Sequence, residues 1–305
     1  MQATLHDPHN AKTCTPVTDR RTLGECLIAN HKLKDLIATE LRAVGFDVVA
    51  NQDACARTVH LPVDHWVDVG ALCLLARSDE PACLKDKSGD LVAWVGARSP
   101  EDCSRSMVTE ADCFRIHYPW NLLELNEEVL EMMEESNIMG EVSPLAEING
   151  VLHLGKGSRI LPGVVIEGNV IIGEDCKIGP NAYIRGKTSI GNHCEIGNAV
   201  EIKNSIIYSH TKVKHLSYVG DSILGSHVMV GAGTILANYR HDGTNHRSRV
   251  NGQLIDTGRV KLGAVLGDGV RTGVNTCVYP ARKIGPGRMT RPNEIVDHDL
   301  LNGVS

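Results

Sequence analysis

The sequence predicts a mainly β protein, in which a small α/β domain precedes a solenoid of short stacked strands. The first observation is a six-residue repeat, since between residues 148 and 202 every sixth position is isoleucine, with one leucine. The second is that the first half has no such repeat. A period of six fits neither a helix nor an alternating strand, so it indicates stacked coils of parallel strands. The repeat positions are Ile148, Leu154, Ile160, Ile166, Ile172, Ile178, Ile184, Ile190, Ile196 and Ile202.

The first half shows the pattern of a mixed α/β domain. We predict a helix over Leu33 to Val44 and strands over Phe46 to Val49 and Leu91 to Val95. A second helix is predicted over residues 119 to 136, with Asn121 as its cap, because apolar residues recur there at spacings of three and four. The predicted organisation is therefore a domain at 1–117, a linker helix within 118–145 and the repeat domain at 146–305.

The repeat continues after residue 202 with changes of register. Val213 and Val219 resume it one residue early, and a further set follows at Leu224, Val230, Leu236, Leu266, Thr272, Val278 and Ile284. Residues 238 to 261 are polar and break the six-residue pattern. A loop of this length in a compact repeat is more often functional than a tolerated insertion.

Composition and charge narrow the classes of function. Aromatic residues make up 4% of the chain, no run of about 18 apolar residues occurs, and we expect a cytoplasmic protein without a membrane partner. Residues 1–145 carry 13 Lys and Arg against 24 Asp and Glu, and residues 146–305 carry 18 against 13. The basic half suits anions such as sugar phosphates or coenzyme A, although ordinary charge scatter explains it equally well. The net charge of −6 argues against a nucleic-acid partner.

The ten cysteines include no CxxC pair, so we expect reduced thiols and no metal site built from them. Cys176 and Cys194 are separated by three hexapeptide repeats, and we predict that they stack as buried side chains on adjacent coils.

Two cations replace glycine in the repeat. The residue after the repeated isoleucine is usually glycine, but Arg185 and Lys203, three hexapeptide repeats apart, occupy two of these positions. We expect both side chains on one corner of adjacent coils, where they would repel each other unless an anion lies close. They are interpreted either as a phosphate clamp or as solvated residues, one of them paired with Glu201.

The segments HLSYVGD, from His215, and GAGTILANY, from Gly231, resemble the acetyltransferase domain of bifunctional sugar-1-phosphate nucleotidylyltransferases and amino-sugar-phosphate N-acetyltransferases. The archaeal members are most similar, because they share a long insertion ending like Thr257 to Gly263. The resemblance implies a left-handed parallel β-helix, acetyl-CoA as co-substrate, an amino-sugar phosphate as acceptor and a homotrimer.

The resemblance also implies roles for individual residues. His215 falls on the catalytic base, Glu201 on the acid that orients it, and the Ala232 amide on the oxyanion donor. The positions implied to bind substrate are Arg185, Lys203, Tyr218, Asn238, Tyr239 and Lys261. Such residues suit acyl transfer, since a histidine with an ordinary pKa near 6.5 can take a proton from an amine while an amide stabilises the oxyanion.

Met229 departs from the family pattern, which has asparagine before the GAGT turn. A scaffold or sugar-phosphate-binding protein without turnover is therefore an alternative. A zinc-dependent γ-class carbonic anhydrase is a weaker one, since His193, His210 and His215 could be three ligands on the coils.

The first domain resembles a shortened nucleotidylyltransferase domain, through Thr15 to Gly24 and Tyr118 to Leu123. It lacks the Gly-rich nucleotide loop with its basic residue. We therefore predict that it does not transfer nucleotides and acts in folding, assembly or regulation.

Overall fold

A computed structural model describes residues 1–7, 12–55, 57–110 and 113–301. The chain divides into two units, the second of which consists of Lys12–Arg21, Leu27–Asn30 and the chain from Tyr118 onward. Two segments of the predicted first domain therefore fold with the second unit. The predicted last domain extends over residues 302–305, which lie outside the described residues. No helix in the described ranges is long and apolar enough to cross a membrane.

The first 117 residues contain two α-helices and ten short strands in their described part. The helices are α1 (Leu33–Ala43) and α2 (Val69–Ala76). The strands are β1 (Gln2–His6), β2 (Leu27–Ile28), β3 (His31–Lys32), β4 (Asp47–Val48), β5 (Thr58–Pro62), β6 (His65–Trp66), β7 (Ala82–Lys85), β8 (Leu91–Val95), β9 (Arg105–Val108) and β10 (Phe114–Arg115). Six of them form a mixed sheet in the order β4-β1-β5-β8-β7-β9. The predicted helix at 33–44 and the predicted strand at 91–95 are confirmed, whereas the strand at 46–49 is shorter than predicted.

The predicted linker helix ends earlier than expected. Helix α3 spans Pro119–Glu131, and Tyr118 rather than Asn121 is its N-terminal cap. Proline is favoured in the first turn because its missing N–H is not needed there. Asn121 lies inside that turn, where its side-chain oxygen accepts a hydrogen bond from the Tyr118 N–H at 3.0 Å. The prediction of Asn121 as cap was therefore wrong.

The rest of the second unit is a parallel β-helix of about nine turns, which confirms the predicted fold class. Its short strands form three faces. Face A contains β11 (Asn137–Ile138), β14 (Leu152–Leu154), β17 (Val170–Ile172), β20 (Thr188–Ile190), β23 (Ile206–Ile207), β26 (Ile223–Leu224), β31 (Val265–Leu266) and β33 (Lys283–Ile284). Face B contains β12 (Glu141–Val142), β15 (Arg159–Ile160), β18 (Lys177–Ile178), β21 (Glu195–Asn198), β24 (Lys212–His215) and β27 (Met229–Val230). Face C contains β13 (Glu147–Asn149), β16 (Val165–Glu167), β19 (Tyr183–Arg185), β22 (Glu201–Lys203), β25 (Tyr218–Gly220), β28 (Ile235–Leu236), β32 (Cys277–Val278) and β34 (Ile295–Val296).

The repeated aliphatic residues form the core of this helix, as the six-residue pattern predicts. Each repeat directs one large aliphatic side chain inward, and those from Leu154 to Ile202 are at most 2% exposed. The register changes arise at the turns from face C to face A. Ile190 pairs with Ile207 and Ile207 with Leu224, so each of these coils is one residue shorter than the coils before it. The slip therefore shortens a turn and leaves the core pairing intact.

Cys176 and Cys194 lie in this core on adjacent coils, 2% and 0% exposed, as predicted. The Cys194 N–H donates to the Cys176 sulfur at 3.4 Å, and both are free thiols.

The polar segment at 238–261 contains an antiparallel hairpin, β29 (Arg247–Val250) with β30 (Gln253–Asp256). The buried Lys283 of a later coil donates from its ammonium group to the Arg249 carbonyl at 2.6 Å. After the hairpin, Arg259 forms an ion pair with Glu127 of α3 at 2.5 Å. The insertion is therefore an ordered element held by the solenoid and the helix.

Candidate functional site

Arg185 and Lys203 lie side by side at the end of their strands on face C. Strand pairing places Arg185 opposite Lys203, and Lys203 opposite Gly220 on the next coil. The predicted stacking of the two cations on one corner is confirmed, because three hexapeptide repeats make one complete coil here. The two residues therefore lie on adjacent parallel strands, whose backbones are about 4.8 Å apart.

Each cation has a carboxylate partner. The Arg185 guanidinium donates to Glu201 at 2.8 Å and 2.7 Å and lies over the Tyr183 ring, 5.4 Å from its centroid. The Lys203 ammonium lies 3.5 Å from an Asp221 oxygen. The Arg185–Glu201 pair is the contact that the solvated-residue interpretation anticipated. Both long cationic side chains are nevertheless held at one corner, and those of Arg185 and Lys203 keep 34% and 14% of their surface exposed.

Asp221 connects the polar side chains of this corner and was not singled out from the sequence. Its side chain is only 2% exposed and accepts hydrogen bonds from Asn238 and, at 3.4 Å, from Asn204, besides the contact with Lys203. Burial of a carboxylate is costly unless hydrogen bonds and a charge compensate it. One feature of the sequence could have identified Asp221. It is the last residue of the HLSYVGD segment and follows a glycine at the end of a strand.

Tyr218 and Asn238 also meet here. The Asn238 amide donates to the Tyr218 hydroxyl at 3.0 Å. Burial, followed by the neighbouring charges of Asp221 and Glu201, raises the pKa of Tyr218, so its hydroxyl keeps its proton near neutral pH. A side chain at Gly220 would collide with the Tyr218 hydroxyl and the Asn238 amide. The glycine is therefore required for this pair to form.

His215 lies at the end of β24, at the turn from face B to face C. The residue is exposed, and its ring has no hydrogen-bond or ion-pair partner within the described part of the chain. Its carbonyl accepts hydrogen bonds from the Ser217 hydroxyl at 2.7 Å and the Gly233 N–H at 3.2 Å. The backbone at His215 is thus fastened to the GAGT turn of the next coil, while the imidazole is available.

Ala232 precedes Gly233 in that turn. Its N–H finds no acceptor among the described residues, and the residue is half-buried. The Gly233 N–H donates to the His215 carbonyl, so the unpaired Ala232 amide and the His215 imidazole lie on neighbouring turns. Met229, three residues earlier, is 47% exposed and pairs with Lys212 on one side.

Glu201 does not contact His215 in the described structure. It lies on face C opposite Tyr218 and pairs with Arg185. Glu201, which the resemblance implies as the acid that orients the imidazole, therefore holds Arg185 in this structure.

Tyr239 and Lys261 meet across the base of the insertion. Their backbones form an isolated antiparallel bridge, and the Lys261 ammonium lies 5.6 Å from the centroid of the Tyr239 ring. Lys261 therefore reaches the residue next to Asn238. Tyr239 also lines a cavity of about 660 Å³, together with Ala237, Arg240, His241, Asp242, His246, Arg247, Cys277, Tyr279, Pro280, Arg282 and Asp297.

The histidines of the zinc alternative do not converge. His193 and His210 stack with His227 on three successive coils, with ring centroids 4.8 Å and 4.6 Å apart and planes 16° and 2° from parallel. Parallel rings direct their nitrogens alongside each other rather than toward one ion. Among the described residues no three His, Cys, Asp or Glu side chains are grouped to hold a metal.

One comparison with known proteins matches the part of the chain that contains most of this site. The family model described as the GMPPB C-terminal domain matches residues 166–286. A bifunctional sugar-1-phosphate nucleotidylyltransferase/acetyltransferase of Sulfurisphaera tokodaii is 40% identical over 185 residues, which cover 61% of this chain and 46% of that protein.

Two bifunctional proteins GlmU of Methanococcus maripaludis, from strains S2 and C7, are 40% and 46% identical over 185 residues, covering 61% of this chain and 44% of each protein. The chain spans about half the length of these relatives. The resemblance predicted from the motifs is confirmed.

Proposed function

We propose that the β-helix unit transfers an acetyl group from acetyl-CoA to the amino group of an amino-sugar 1-phosphate, either glucosamine or galactosamine. One observation carries the proposal. Among the described residues, neither the His215 imidazole nor the Ala232 N–H has a hydrogen-bond partner, and the two groups lie on neighbouring turns. The relatives described as nucleotidylyltransferase/acetyltransferases support the same class of reaction.

In the proposed reaction, His215 takes a proton from the ammonium group of the sugar, and the neutral amine attacks the thioester carbon. The Ala232 N–H donates to the oxygen on which negative charge develops. As the tetrahedral intermediate collapses, the C–S bond breaks, the nitrogen gives its second proton to the leaving CoA thiolate, and the neutral amide forms. The first proton, held by His215, then passes to solvent. No covalent enzyme intermediate and no metal are needed for this balance.

In the proposed complex, the sugar phosphate binds at the corner of Arg185 and Lys203. Guanidinium and ammonium groups form charge-assisted hydrogen bonds with phosphate oxygens. Asp221 and Glu201 hold the two cations in position, and Tyr218 and Asn238 offer a hydroxyl and an amide to the sugar. Tyr239 lines the adjoining cavity, where we propose that acetyl-CoA contacts the chain, and Lys261 lies near the Tyr239 ring.

The homotrimer and the cytoplasmic location stay predictions. A trimer is consistent with the exposure of His215, since an active site completed by a second copy would cover it. Sedimentation of the purified protein tests this directly, and a monomer that retains acetyl transfer would contradict the trimer.

The experiment that tests the function is thiol release from acetyl-CoA with a matched set of acceptors. The set is glucosamine 1-phosphate, galactosamine 1-phosphate, glucosamine and N-acetylglucosamine 1-phosphate. We expect release with one or both amino-sugar phosphates, at least about tenfold less with glucosamine and none with the acetylated sugar. If the phosphate makes no difference, the clamp is wrong, and if no acceptor releases thiol while glucosamine 1-phosphate binds, the scaffold alternative is correct.

A further inference from the structure

The first unit contains a cavity of about 420 Å³ at one edge of its mixed sheet. It is lined by Asn51, Ala54, Cys55, His60, the Gly96–Ala97 pair and Arg98. Strand β5 begins and the antiparallel β8 ends at this edge. Ligands of open α/β sheets bind outside the carboxyl ends of the parallel strands, which is the opposite edge of β1 and β5. The cavity is therefore separate from the place where a nucleotidylyltransferase loop would follow β1.

An aromatic cluster supports one wall. His60 forms near-parallel contacts with Trp94, at 5.0 Å and 7° between planes, and with His6 at 5.1 Å. The two imidazoles share a 2.8 Å hydrogen bond. Burial lowers the pKa of both His6 and His60, so their rings stay neutral near pH 7. Neutral flat rings favour stacking with another ring.

Two enclosed polar atoms flank His60 on the same face of the sheet. Strand pairing places Thr4 on one side of His60 and Trp94 on the other. Thr4 is fully buried and Trp94 is 9% exposed, yet the Thr4 hydroxyl and the Trp94 indole N–H have no hydrogen-bond partner among the described residues. Such buried groups are rare and usually have a bound partner. Neither Thr4 nor Trp94 lines the cavity itself, so both belong to the packing that supports His60.

The lining of the cavity also offers positive charge and unpaired amides. Arg98 has no ion pair within the described chain, and the N–H groups of Ala97 and Arg98 donate to no backbone acceptor there. Gly96 has a φ of +77°, and such turns form concave amide groups that bind anions. Ala54 and Ala97, which also line the cavity, have short side chains.

We propose that this cavity binds a small molecule made of a flat heteroaromatic ring and a phosphate, the size of a nucleoside monophosphate. The ring lies against the His60 wall, where the Asn51 amide can bond to its edge, and the phosphate lies at Arg98. A volume of about 420 Å³ suits one such molecule and is at the small end of ligand pockets. In this proposal the first unit, for which no catalysis is expected, senses the ligand.

Cys55 provides the test, because it lines the cavity and is the one exposed cysteine of the described residues. The full-length protein is treated with iodoacetamide in the presence of AMP, adenosine or ribose 5-phosphate, and alkylation of each cysteine is followed by mass spectrometry. We expect AMP to slow alkylation of Cys55 but not of Cys73, with adenosine and ribose 5-phosphate each at least about tenfold less potent.

Matched variants separate the site from unspecific protection. Arg98→Ala should reduce the potency of AMP to that of adenosine, and Ala97→Leu, which fills the cavity, should abolish protection. Arg105→Ala, an exposed arginine of the same sheet outside the cavity, should behave as the wild type. Equal potency of AMP and its two fragments, or AMP protection that survives Arg98→Ala, would overturn the proposal. Acetyl transfer does not enter these readouts, so they are independent of the proposed function.

Discussion

At the scale of residues, the candidate site depends on charges that are paired within the chain. Lys203 and Arg185 each hold a carboxylate, and Asp221 lies enclosed between Lys203, Asn238 and Asn204. These ion pairs keep the two cations oriented before substrate arrives, and a bound phosphate would join them. Preorganised donors of this kind cost little to reorganise on binding.

Replacing Lys203 by methionine should weaken sugar-phosphate binding more than catalysis. The substitution keeps most of the length of the side chain and removes its charge, so we expect the KM for the amino-sugar phosphate to rise about tenfold while kcat changes little. Steady-state kinetics measure both, with Lys177→Met on face B as the control. If only the KM for acetyl-CoA rises, Lys203 binds acetyl-CoA and not the sugar phosphate.

At the scale of elements, the strands were predictable and the side-chain pairs were not. Each coil buries one aliphatic residue per repeat, so Ile184 and Ile202 reveal the period directly in the sequence. The one-residue slip at Ile207 follows from a shortened turn, which the sequence indicates only as a change of phase. The spacing also predicts that Arg185 and Lys203 stack. It does not give rotamers, and for that reason only the structure shows which cation pairs with Glu201 and what role Asp221 has.

The insertion likewise has a part that the sequence predicts and a part that it does not. Its polar sequence predicts a break in the repeat, but its hairpin is held by groups distant in sequence, the Lys283 ammonium and the Glu127 carboxylate. Tertiary contacts of this kind leave no local pattern. The cap of α3 differs from the prediction for a local reason, since Pro119 occupies the first helical position and so makes Tyr118, rather than Asn121, the cap.

The column of His193, His210 and His227 should make stability depend on pH. Burial, followed by the neighbouring His227 and His193, lowers the pKa of His210. The unfolded chain then binds protons more readily than the folded one, so this contribution is complete above the ordinary pKa of about 6.5 and is lost as pH falls through it. Asp175, 3.6 Å from His193, faces the column and partly offsets the repulsion.

The variant His210→Asn isolates this effect, because asparagine tolerates the left-handed φ of +64° at this position. We expect its Tm to fall less than that of the wild type between pH 7.5 and 5.5, by roughly 1 °C since the rings are exposed. Thermal denaturation of both proteins measures the difference, with His153→Asn as the control. Parallel curves would show that the stacked rings do not repel.

At the scale of the whole molecule, the second unit includes segments from far upstream. The Leu27 N–H donates to the Tyr208 hydroxyl at 2.9 Å, the Ala29 N–H to the buried Asn126 at 2.9 Å, and Arg21 pairs with Asp268 at 2.6 Å. Cutting the chain at the predicted domain boundary would remove one hydrogen bond or ion pair from each of Tyr208, Asn126 and Asp268, and losing such a contact at a buried group costs more than losing an exposed hydrogen bond.

A fragment beginning at Tyr118 should therefore be less stable than the full chain. We expect its Tm to be lower by about 4 °C or more, since several buried polar groups each lose a hydrogen bond or an ion pair. Thermal denaturation followed by circular dichroism measures this, and Arg21→Ala in the full chain reports the share of one ion pair. An unchanged Tm of the fragment would show that the upstream segments contribute nothing to the β-helix.

The central claim is that His215 is the base of an acetyl transfer whose oxyanion is bound by the Ala232 amide. The most direct measurement compares wild type, His215→Ala and, as a control, the half-buried histidine variant His153→Ala for formation of N-acetylated sugar phosphate and thiol in the same reaction. We predict equal amounts of both products from the wild type and the control, and a rate lower by about 10²–10⁴ in His215→Ala. Equal rates in wild type and His215→Ala would contradict the account.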